Sequence, residues 1–111
     1  DVYKRQVINV SKGQAYVNYG PPSVDKGMYL QIIELGEGFM DPDTGEMLGQ
    51  DETYIGAIKI TDVKSKFSIG TIMEGEIQRG AIASKLDKKK GKSIERKYKK
   101  KCKKEKNCLS L

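Results

Sequence analysis

The sequence contains no histidine and no tryptophan, and it holds only two cysteines and three prolines. Each shortage removes a class of function. Without histidine, the usual general base and the commonest nitrogen ligand for zinc are missing. The two cysteines, Cys102 and Cys108, are spaced C-x5-C and sit in a lysine-rich stretch, too few donors for a zinc site. A local disulfide can be drawn between them, but nothing in those surroundings would hold its geometry, so free thiols are expected. The serines have no partner base in the sequence. Twelve glycines are scattered at turns and form neither a GxxxxGK nor a GxGxxG phosphate-binding pattern. No apolar run reaches the ~18 residues that a membrane-spanning helix needs. No charged-then-apolar leader marks a signal peptide. An enzyme is therefore not expected, nor is a cofactor, a bound metal or a small-molecule substrate.

What is present is charge, and it is unevenly placed. The net charge of +6 is the sum of −4 over residues 1–84 and +10 over residues 85–111. The basic character thus belongs to the C-terminal quarter and not to the body. Apolar residues make up 37% of the 111-residue chain, enough for one small core.

Along the body the apolar residues recur with period two. Val7, Ile8 and Val10 open the pattern, and Ala15, Val17 and Tyr19 follow a turn at Lys12-Gly13. Gly20-Pro21-Pro22-Ser23 breaks it, because proline removes a backbone donor. Met28 to Leu35, Thr53 to Val63, Phe67 to Met73 and Ala81 to Ala83 read as further strands, with a polar excursion over Gly36 to Asp51. Five or six short strands with frequent turns predict an all-β fold, a small SH3-like barrel over residues 7–84. Residues 85–111 predict a disordered or partly helical lysine-rich tail, in which Ile94, Tyr98 and Cys102 make a thin stripe at helical spacing.

The two ends carry a different signal. Asp1-Val2-Tyr3-Lys4-Arg5-Gln6 translates GAT-GTG-TAT-AAG-AGA-CAG, part of the mosaic-end DNA that transposases insert during library preparation. Leu109-Ser110-Leu111 matches the start of its reverse complement. Residues 1–6 are expected to be an adapter scar on an environmental DNA fragment, with native sequence upstream of Val7.

Two segments invite a functional reading. Asp41 to Glu52 has Asp at positions one and three and Glu at position twelve of a calcium loop. However, Gly45 stands where an oxygen ligand is needed and Glu46 where the sharp turn requires glycine. A turn capped by the Asp43 side chain, with φ preset at Pro42, is expected instead. In the tail, Lys88, Lys89, Lys90, Lys97, Lys99, Lys100, Lys101, Lys103 and Lys104 are candidate contacts to phosphates of nucleic acid or to an anionic surface. With a single Arg96 and a single Tyr98, that tail lacks bidentate donors and stacking rings, so such binding would be non-specific.

The strings Asp41-Pro-Asp-Thr-Gly-Glu-Met-Leu-Gly49, Ile55-Gly56-Ala-Ile-Lys-Ile60 and Val63-Lys-Ser-Lys-Phe67-Ser68 together resemble the C-terminal domain of flagellar assembly protein T. That domain type also accompanies curli-secretion-like lipoprotein domains. Met28 stands where the family usually has Asp, and so does Ala81. The resemblance implies a non-enzymatic, protein-binding module, periplasmic or outer-membrane-associated, whose partners are envelope proteins or a preceding domain of the same chain. It assigns the signature to Asp41, Pro42, Thr44, Gly45, Leu48, Gly49, Gly56, Phe67 and Ser68 as fold-determining residues, with Leu48 and Phe67 expected in the core. The rival expectation, motivated by the tail, is an SH3-like barrel whose basic arm binds nucleic acid.

Overall fold

The computed structural model describes residues 5–20, 23–104, 108, 109 and 111. Residues 1–4 of the expected scar, Pro21 and Pro22 of the expected break, Lys106 and Ser110 lie outside the described residues. The elements run β1 (Val7–Ser11), β2 (Gln14–Val17), β3 (Tyr29–Met40), β4 (Met47–Val63), β5 (Ser68–Gly75), β6 (Ile82–Lys85) and α1 (Lys88–Lys104). All neighbouring strands are antiparallel, in the order β1-β2-β5-β4-β3-β6.

The local reasons are simple. Lys12 and Gly13 both adopt positive φ, 51° and 80°, the backbone that lets a two-residue turn follow strand twist. At the β4–β5 turn the Lys64 N–H donates to Phe67 O at 2.8 Å. Leu30, Ile32, Ile58 and Ile60, spaced two apart on their strands, share one face and meet Ala15, Val17, Val24 and Ala83 in the main core. Successive strand residues point to opposite faces, so Tyr29, Ala57 and Met73 are left on the far side of the sheet.

Two expectations need correcting here. The barrel does not close: the described strands form an open sheet. Edge strands β1 and β6 meet only at an isolated bridge between Gln6 and Ile82. There Val7 N–H donates to Ala81 O at 2.9 Å and Ala83 N–H to Arg5 O at 2.8 Å. β1 and β6 are five and four residues long, too short to continue a ladder past that point. Arg5 and Gln6, inside the expected scar, thus take part in the sheet's edge contact.

The fold is also mostly β rather than all-β: of the two expectations for the tail, disordered or partly helical, the helical one holds, as a helix over Lys88–Lys104 docked on the sheet. Asp87 caps it: its backbone oxygen accepts from Gly91 N–H at 2.9 Å and its carboxylate from Lys90 N–H at 3.4 Å. Ile94 and Tyr98, with Leu86 and Leu111, cover Tyr29, Ala57 and Met73. Gly91 lies so close to the Tyr29 ring that an added Cβ would overlap it. Burying large apolar side chains stabilises by roughly 1.5–3 kcal/mol each, which is how a helix of mostly like charges is held.

The expectation of free thiols is corrected as well. Cys102 and Cys108 are joined in a disulfide, with Cα atoms 5.4 Å apart. What holds the segment is contact with the helix and with the β1–β2 turn. Tyr98 Oη donates to Leu109 O at 2.9 Å, and the Leu109 side chain lies 3.3 Å from where a Cβ on Gly13 would stand.

Candidate functional site

The longest strands do not end where the body does. β3 pairs with β6 only over Leu30–Ile33, and β4 pairs with β5 only from Gly56 onward. Beyond those points β3 and β4 pair with each other alone, through Met40 and back from Met47. The polar excursion expected over Gly36 to Asp51 is therefore most of a two-stranded arm. Register shifts at Leu35/Gly38 and Phe39/Met40 interrupt its ladder, and such bulges twist a ribbon away from flat edge pairing.

The turn at the tip forms from its own residues. Asp41 Oδ1 accepts from Asp43 N–H at 2.8 Å, and Asp41 O accepts from Gly45 N–H at 2.8 Å. Thr44 Oγ1 accepts from Glu46 N–H at 3.2 Å. The capping side chain is thus Asp41, not Asp43 as expected, because the Asx geometry needs the acceptor two residues before the donor. Gly45 takes φ 72°, a conformation that side chains disfavour. Pro42 is exposed at the same turn. Among the described residues, no three or more His, Cys, Asp or Glu side chains gather where a metal could sit.

Behind that tip four large apolar side chains stand exposed on the ribbon. Phe39 is 51% exposed, Met40 57%, Met47 58% and Leu48 61%. Leu48 was expected in the core and is instead on the arm, because both faces of an isolated ribbon meet solvent. Phe67 is not in the main core either: it is half-buried and stacks on Tyr16, ring centroids 6.2 Å apart. The remaining signature residues scatter. Gly49 lies on the arm, where an added Cβ would meet the Phe39 ring at 3.3 Å. Gly56 sits at the arm's root, where a Cβ would come within 2.5 Å of Glu74 O. Ser68 is fully buried, and its Oγ has no hydrogen-bond partner among the described residues. The signature thus spreads over the arm, its root and the body, and forms no single pocket.

The candidate lysines are brought onto one element. Lys88, Lys89, Lys90, Lys97, Lys99, Lys100, Lys101, Lys103 and Lys104 are all exposed on α1. The helix's sole carboxylate, Glu95, turns the other way and is only 9% exposed. It accepts from Tyr29 Oη at 2.7 Å, and Lys59 Nζ lies 2.7 Å and Lys99 Nζ 3.0 Å from its oxygens. Burial opposes its ionisation, but the hydrogen bonds from Lys59, Tyr29 and Lys99 outweigh that and bring its pKa down to about 2. Burial and then the hydrogen bond to Glu95 push the Tyr29 hydroxyl up to about 12. Lys59 faces Tyr29 directly across the β3–β4 ladder, so the pair forms a prepared socket for the helix.

Sequence reasoning missed this socket and the arm's apolar tip. The signals were faint: a lone acid in a basic run, and Phe39-Met40 mirrored by Met47-Leu48 about a turn. No protein-family model matches the chain, and no curated protein matches it.

Proposed function

We propose that this chain is a non-enzymatic protein-binding module of a bacterial envelope assembly protein, flagellar or secretion-related, and that it docks through the arm. The observation that carries the docking is the exposure of Phe39, Met40, Met47 and Leu48 at the end of a ribbon that no third strand supports. Several large apolar side chains left exposed on one short ribbon mark a partner surface. An isolated two-stranded ribbon is marginal by itself, so a partner that packs on it also orders it. The envelope assignment rests on the resemblance of the Asp41–Gly49 turn and the Gly56 and Phe67-Ser68 segments to the flagellar domain. The Cys102–Cys108 disulfide supports an oxidising compartment such as the periplasm.

The test replaces Phe39, Met40, Met47 and Leu48 together by serine and compares the variant with the parent on a bacterial envelope fraction. The expected result is loss of the proteins that the parent retains, with thermal stability unchanged within about 1 kcal/mol because the side chains are already exposed. Recovery of only nucleic acid or ribosomes by the parent would overturn the reading.

A further inference from the structure

The protein's charges are sorted by place. Residues 34–52, which span the arm, hold seven carboxylates and no lysine or arginine. α1 holds eleven cations and one carboxylate, Glu95, which is buried and already engaged. The solvent side of the helix is therefore uninterrupted positive charge, and the arm is uninterrupted negative charge.

One copy cannot join the two. Tyr29, beneath the helix, and Met40, at the arm's end, are eleven positions apart on β3, about 35 Å at the ~3.3 Å rise of a strand. The molecule is correspondingly long, 55 × 32 × 26 Å.

We propose that the arm of one copy docks on the α1 face of a second copy, head to tail. This rests on the arm being the docking element. Its lengths agree: the 17-residue helix spans about 25 Å, and the ribbon from Glu34 to Met40 spans about 20 Å. The chemistry agrees too. Lysine stems lie along apolar surface while their ammonium groups stay in water, so the same side chains can cover Phe39 and reach Glu37, which alternation places on the same face of β3. A cation over the Phe39 ring adds a further attraction. A nucleic acid would answer the helix lysines but leave the arm's carboxylates and apolar tip unused, whereas a second copy answers both. The two surfaces differ, so the contact is heterologous and either closes into a ring or continues from copy to copy.

Sedimentation velocity of the full chain at roughly 50 and 500 mM salt tests this, since screening weakens exposed charge pairs. Concentration-dependent association is expected at the lower salt, weakened about ten-fold at the higher. Two variants follow. The first carries Glu37→Lys, Asp43→Lys and Glu46→Lys. The second carries Lys97→Glu, Lys100→Glu and Lys101→Glu, with helicity checked by circular dichroism. Each alone is expected to be monomeric, and an equimolar mixture to associate again as pairs, because the unaltered arm of the second variant then meets the unaltered helix of the first. A parent chain that stays monomeric at both salts overturns the proposal, and so does a mixture that fails to associate. A monomeric parent that still binds a random duplex DNA through the helix assigns that face to nucleic acid and overturns it as well. In any of these cases the serine variant of the arm still reads separately whether the arm binds other proteins.

Discussion

At the residue scale, Glu95 adds a pH-dependent anchor to the apolar contacts that hold the helix on the sheet. Its folded-state value near 2 lies below its ordinary value of 4.5. A depressed carboxylate contributes stability that is fully present above the unfolded value and is lost as pH falls through the folded one. Docking should therefore weaken between about pH 4.5 and pH 2, by on the order of 3 kcal/mol at the limit. Thermal melts across that range check it, and Glu95→Gln should flatten the acid limb while lowering stability at pH 7. Lys59 and Tyr29 were invisible as partners beforehand. Both sit in a strand whose alternation explains them as ordinary outward residues, and only the helix above gives them a role.

Element by element, α1 is where propensity and packing disagree. Glycine inside a helix costs about 1 kcal/mol relative to alanine, so Gly91→Ala should stabilise an unattached helix. Here the added methyl would overlap the Tyr29 ring, and overpacking costs typically 1–3 kcal/mol. Gly91→Ala is expected to destabilise by about 1–2 kcal/mol in urea denaturation; an increase in stability would mean that the helix does not seat on Tyr29. The helical stripe Ile94-Tyr98-Cys102 was legible at its period, but Gly91 and Glu95 complete the contact face and look polar or neutral in sequence. The strand periods of the body were legible for a similar reason, since one face of each strand is buried. The arm was not. A ribbon wet on both sides needs no apolar alternation, and its glycines and carboxylates read as loop.

On the scale of the molecule, the open sheet depends on its helix. Tyr29, Ala57 and Met73 form a second apolar layer that α1, Leu86 and Leu111 cover. Deleting residues 86–111 should therefore lower solubility and stability together, by several kcal/mol if each uncovered side chain loses roughly 1.5–3 kcal/mol. Dye binding to exposed apolar surface and light scattering would report it. Such a deletion does not isolate the contribution of the lysines, which the outward charge substitutions do. The edge contact at Gln6 and Ile82 shows why strand count misled about closure: the strands are numerous enough to curl the sheet but too short at its rims to zip it.

The separation of the acidic arm from the basic helix also makes the molecule an electric dipole along its long axis. Near any charged wall it will turn before it touches. A cation exchanger would hold it by the helix and an anion exchanger by the arm, at one and the same pH. Its net charge of +6 therefore says little about how it meets a surface; which end is offered first is set by the surface.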